Sequence, residues 1–231
     1  MSRDVRPVIW MGSSRNDLRG FPAQVRSDIG KALYAAQQGD TDPAAKPLKG
    51  FGGTRVMEIV DRHDTNTYRM VYTAQFADAL YVLHAFQKKS KKGKETPRRE
   101  IELIRRRLAD AQRITEKGRT DMAGRKKKID FDESSGNVFA DLGLPHPEQE
   151  LLKANLTLQI HRLIKARELT QAQAGEILGV KQPHVSALMR NRSGNLSVGR
   201  LFECLTALGQ DVEITVKPAR KRHGEISIAH K

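Results

Sequence analysis

Two rhythms of apolar and polar positions run along this 231-residue chain. In the first half, residues 22–38 place Val25, Ile29, Ala32, Leu33 and Ala36 on one helical stripe, with Pro22 suited to a first turn. Residues 5–11 (VRPVIWM) suit a strand start or edge, because Pro7 cannot donate to a ladder. Three strand-like runs follow at 54–60, 67–74 and 79–86. The connections between them, HDTN and QFAD, are short enough to predict antiparallel hairpins. Residues 97–114 return to helical spacing, with Ile101, Ile104, Leu108 and Ala111 inward and arginines outward. Helices packed on a small antiparallel sheet predict an α+β domain over residues 1–115.

The second half reads as helices. Helical spacing covers 148–167, 170–178, 182–190 and 197–208, and 211–217 (DVEITVK) alternates like a strand. The expectation is an all-α domain over 138–218 with a C-terminal strand. Residues 116–137 are polar and Gly-containing and read as a linker; residues 219–231 read as a basic, disordered tail.

Within the second half, TQAQAGEILGVKQPHVSALMR (170–190) spells helix, tight turn, helix. Thr170 is a good N-cap, Gly179 supplies unusual turn backbone, and Pro183 tolerates a first-turn position. Val185, Leu188 and Met189 face inward, while Gln182, Ser186 and Arg190 project outward. Such a pair can lay its second helix in a DNA major groove. A plain helix hairpin shows the same periodicity.

Charge bears on that choice. The formal net charge is +14, and both halves are basic: +9 over 1–121 and +5 over 122–231. A balance this basic favours polyanions, nucleic acid first and an anionic membrane surface second. Lone Cys204 excludes an internal disulfide, sits in an apolar helix pattern as an inert thiol, and fits a reducing cytoplasm. No stretch has the apolar length of a signal peptide or membrane span, and zinc-type Cys/His spacing is absent. No metal or cofactor is expected.

In the first half, Arg55 and Arg69 lie on neighbouring strand runs, and Lys88, Lys89, Lys91, Lys92 and Lys94 follow the third. Gathered on one face, these cations suit RNA phosphates. Trp10, Tyr68, Tyr72 and Phe86 offer stacking surfaces for unpaired bases. The alternative is a solvated sheet face over an aromatic core.

Two resemblances sharpen both halves. LTQAQAGEILGV with KQPHVSALMRN, flanked by NVFADLGL and LFECLTALGQDVEITVKPA, resembles the Cro/XRE repressors in their antitoxin branch. It implies operator DNA and a homodimer formed through this half. Gln171 would touch phosphate, and Lys181, Gln182, Ser186 and Arg190 would enter the groove.

LKGFGGTRVMEI, TYRMVYTA and LYVLHAFQKKSKKGKETPRREIELIRRRL resemble the RelE/HigB toxins in their phage-derived branch. That resemblance implies a metal-independent endoribonuclease cutting messenger RNA on the ribosome. Arg69 would clamp phosphate, Lys89 and Lys88 would stabilise charge, and His84 would move a proton. Lys49, Arg55, Lys91 and Lys92 would hold RNA. Phe86 stands where some relatives have Tyr, which weighs against tyrosine-based proton transfer.

Such toxins and antitoxins are normally separate chains, so this one resembles a fused pair, and Met122 sits where a second start would fall. The 129–150 segment carries six acids and no Lys or Arg. This segment, or the helix after it, is expected to cover the basic face around Arg69 and Lys89. The other readings are a transcription regulator whose first half is catalytically dead and mediates interactions, and a basic structural RNA-binding protein.

Overall fold

The computed structural model describes residues 5–51, 56–88, 96–117, 129–193, 195–218, 224 and 226. The chain divides into two compact units, Arg3–Leu144 and Pro145–Lys231.

The first unit starts with β1 (Val8–Met11), whose four residues are all buried. Helices α1 (Ser14–Arg19) and α2 (Ala23–Gln37) follow. The predicted stripe Val25, Ile29, Ala32, Leu33 and Ala36 is buried, and α2 packs on the sheet at β3 (Val56–His63). Strands β2 (Ala45–Pro47), β4 (Asn66–Thr73) and β5 (Leu80–Lys88) and helix α3 (Arg98–Lys117) complete the region read from the sequence.

Six strands form one sheet in the order β2-β3-β4-β5-β1-β6, where β6 is Phe131–Glu133. The meander β2 to β5 is antiparallel, as its short connections require. The β1–β5 pair is parallel, with Val8 opposite Leu80 and Trp10 opposite Val82. Helices and three strands separate β1 from β5 in sequence, and that long connection makes the parallel return feasible. A bulge at Val71/Tyr72 shifts the β4–β5 register.

The linker expectation for 116–137 meets β6, which pairs antiparallel with β1. Helix α4 (Val138–Asp141) then packs against α2. The two units part between Leu144 and Pro145, past the expected domain start at 138. The reason is burial: Val138, Phe139, Leu142 and Leu144 lie in apolar surroundings within the first unit.

The second unit packs α5 (Pro147–Ala166), α6 (Gln171–Leu178), α7 (Gln182–Met189) and α8 (Val198–Ala207). Its core gathers Ile160, Ile164, Ala174, Leu178, Val185, Leu188, Leu201, Cys204 and Leu205. Residues 211–218 form neither helix nor strand, and Ile214 and Val216 are exposed. The strand expected at 211–217 is therefore not formed; alternation supplies an apolar face, but a strand also needs a ladder partner. Of the 219–231 tail, all but 224 and 226 lie outside the described residues.

Candidate functional site

Arg69 sits mid-β4, opposite Phe86 on β5 and Val60 on β3. Directly opposed residues share a sheet face, so Arg69, Phe86 and Lys88 (opposite Thr67) project from the same side. Arg69 is not an open cation. Its Nη1 donates to Glu58 Oε2, and both side chains are 8% exposed. Thr96 Oγ1 lies 3.4 Å from the same nitrogen, and Lys46 Nζ stands 3.6 Å from the other Glu58 oxygen. The pairing satisfies two charges that would each be costly to bury alone.

His84 lies two rungs along, opposite Val71, and its ring stacks on Phe86 at 5.1 Å. Its Nε2 lies 2.6 Å from Glu100 Oε2, and its Nδ1 lies 3.3 Å from Arg107 Nη1. A guanidinium only donates, so Nδ1 accepts and Nε2 carries the proton to the carboxylate. That is a neutral imidazole with both nitrogens engaged. Burial pulls its pKa below 6.5, against the opposing hydrogen bond to Glu100 and with help from Arg107.

Arg107 was expected outward. It instead turns back to donate to the Leu83 carbonyl at 2.9 Å and to Ser13 Oγ, also at 2.9 Å. Ser13 in turn donates to Asp17 Oδ2. Glu100, Arg107, Ser13 and Asp17 therefore form a network around His84 that local pattern did not reveal. The available signal was Glu100, an acid at the head of an arginine-rich helix.

The remaining first-half candidates divide. Lys49 is exposed in the turn after β2, and Lys88 is half-buried. Arg55, Lys89, Lys91 and Lys92 lie outside the described residues. Of the aromatics, Trp10 and Tyr72 are buried, and Tyr68 is packed on Phe21 at 4.8 Å. They belong to the core and are closed to bases; Phe86 stays partly exposed. Burial, then Asp42, pushes the Tyr72 hydroxyl up to about 12, against Arg6.

Nor does the acidic stretch through Leu144 lie over Arg69. Strand β6 is separated from β4 by β5 and β1. Its Asp132 pairs with Arg15 at 2.9 Å. Asp141 is buried and accepts from Trp10 Nε1 at 3.1 Å, from Ser134 Oγ and from the Ser135 amide at 3.0 Å. Arg19 and Arg26 cap the end of α4 on the carbonyls of Asp141 and Leu142, each at 2.6 Å.

In the second unit, the helix–turn–helix forms as spelled. Thr170 and Gln173 make a reciprocal capping box, and Gly179 ends α6 at φ +58. Arg200 Nη2 reaches from α8 to the carbonyls of Leu178 and Gly179, at 3.0 and 2.7 Å, and so braces the turn. Gln171, Lys181, Gln182 and Arg190 are exposed, and Ser186 is half-buried. Gln182 Nε2 donates to Gln171 Oε1 at 3.0 Å, joining the first residues of both helices. On α6, Ala174 and Leu178 are buried, whereas Ala172 and Ile177 are exposed.

Residues 16–109 match the family described as phage derived protein Gp49-like (DUF891). Residues 138–217 match the family described as helix-turn-helix domain. A solved structure that carries the name of an XRE-family transcriptional regulator is 37% identical. The match covers 38% of this chain and 100% of that one, with a TM-score of 0.34. No curated protein matches the chain. Along the chain, similarity to a Gp49-like, phage-derived family is thus followed by similarity to a helix-turn-helix family.

Proposed function

We propose that the chain is a fused toxin–antitoxin protein acting in the cytoplasm. Its first unit is a metal-independent endoribonuclease for messenger RNA on the ribosome, held inactive in the intact chain. Its second unit binds operator DNA as a homodimer formed through the C-terminal half and represses its own promoter. One observation carries the pairing: residues 138–144 lie inside the helix-turn-helix match yet fold into the Gp49-like unit.

The chemistry needs a 2′-hydroxyl to attack the adjacent phosphate, giving a cyclic phosphate end and a freed 5′-hydroxyl. Arg69, with Lys88 and Lys89, would hold the phosphate and offset the charge building on it. His84 would take or return the proton. Lys49, Arg55, Lys91 and Lys92 would grip the flanking backbone. Glu58 holds Arg69 and Arg107 occupies His84 Nδ1, so a bound RNA would have to exchange both contacts. For DNA, Gln171 would meet phosphate while Lys181, Gln182, Ser186 and Arg190 reach base edges.

The same Arg69–Glu58 pair favours a second reading, in which the first unit is catalytically dead and mediates interactions for a transcription regulator. Expressing residues 1–121, checked for fold by circular dichroism, separates the two. Growth arrest and messenger RNA cleavage, both abolished by Lys89→Ala, support the nuclease. A folded, harmless fragment supports the regulator.

A further inference from the structure

Residues 129–144 form a module that the first unit recognises side chain by side chain. The module is organised within itself. Asn137 caps α4 by accepting from the amides of Phe139 and Ala140, and Asp141 closes the loop onto Ser134 and Ser135. A segment ordered by its own bonds loses less freedom on docking.

Its seat is equally specific. The free edge of β1 takes Phe131–Glu133 as an added strand, with Gly12 N bonded to the Asp130 carbonyl and Ser134 N to the Val8 carbonyl, both at 2.9 Å. Phe139 is fully buried over Gly30 of α2, where a Cβ would stand 2.8 Å from the ring. Cations meet the acidic face: Arg15 holds Asp132, while Arg19 and Arg26 take the carbonyls at the end of α4. Trp10 supplies the one buried indole donor to Asp141. Strand edge, aromatic socket and charge complementarity coincide on sixteen consecutive residues.

We propose that this seat is a binding site for an acidic, helix-capped arm. The first unit holds residues 129–144 by recognition, not by virtue of the peptide link, and takes the same segment from a second copy of the chain. The proposal deepens the toxin–antitoxin reading and rests on it for the arm's biological meaning. The covalent link raises the local concentration of the arm to about millimolar. The seat itself supplies the specificity.

The test uses the full chain with a site-specific protease sequence placed between Lys117 and Ile129. After cleavage, the two fragments should elute from gel filtration as one 1:1 species at micromolar concentration. A hundredfold excess of synthetic peptide 129–144 should displace the C-terminal fragment, whereas the same peptide with Phe139→Ala and Asp141→Ala should not. Fragments that part on cleavage overturn the proposal. So does co-elution that the native-sequence peptide fails to disturb. Both readouts report association and are blind to RNA cleavage, so an inactive nuclease leaves them interpretable.

Discussion

The indole N–H of Trp10 donates to Asp141 Oδ2 at 3.1 Å, joining a buried strand to a short helix 131 positions later. Asp141 → Ala leaves that N–H and the Ser135 amide without their acceptor. A buried donor left unmade costs about 1–3 kcal/mol. Denaturant unfolding followed by the fluorescence of Trp10, the single tryptophan, should show a lower midpoint and an unfolding free energy reduced by that amount. Asp141→Asn, which keeps one acceptor oxygen, should fall less. An unchanged midpoint in the alanine variant would remove Asp141 from the unit's support.

Gly30→Ala has an inverted sign here. In an exposed helix interior the change gains about 0.5–1 kcal/mol. At α2 the new methyl meets the Phe139 ring, and overpacking of this kind costs about 1–3 kcal/mol. Net destabilisation is expected, with partial recovery when Phe139→Leu is added. Stabilisation by the single change would mean the ring moves aside freely.

Arg69 and Glu58 behave as one unit. Removing Glu58 strips the buried Arg69 of its carboxylate, costing about 3–5 kcal/mol, whereas removing Arg69 leaves Glu58 with Lys46 and costs less. Arg69→Met with Glu58→Leu should restore most of that stability in thermal melts. If the first unit cuts RNA, the double variant stays folded and inactive, which separates a role in chemistry from a role in folding.

His84 predicts a pH dependence. Burial lowers its folded-state pKa beneath 6.5, so as pH falls past 6.5 the unfolded chain takes up a proton before the folded chain does. Stability therefore declines toward acid, at up to about 1.4 kcal/mol per pH unit. Glu100 and Asp17 oppose the shift and Arg107 reinforces it. His84→Asn should flatten this slope below pH 6.5; matching slopes for both proteins would count against a buried neutral imidazole.

The glutamine pair should show coupled DNA binding. Gln182→Ala is expected to relax preference at one base pair by roughly 1–3 kcal/mol, and Gln171→Ala to weaken binding more evenly across sequences. Because Gln182 donates to Gln171, the double variant should lose less than the two single losses combined. Footprints on the chain's own promoter, compared across operator variants, measure both effects. Full additivity would mean that the contact contributes nothing to recognition.

Elements with strong local rhythm were legible in advance. The strands β3 to β5, helices α2 and α3, and the helix–turn–helix lie within a few residues of their expected positions. Short polar elements were not. Strand β6 reads FDE and helix α1 reads SRNDLR, and neither carries a period long enough to register. Alternation at 211–217 misled in the opposite direction, since its apolar face meets no pairing strand among the described residues.

Sequence by itself determined the two kinds of unit, their order, and the outward-facing Gln182 and Arg190. Helix period and capping chemistry are properties of neighbouring residues. Tertiary structure alone decided that His84 is neutral between Glu100 and Arg107, and that the acidic arm completes the sheet beyond β1. Each of those depends on pairing between distant strands and helices, and no local pattern encodes which strand edge a later segment will find.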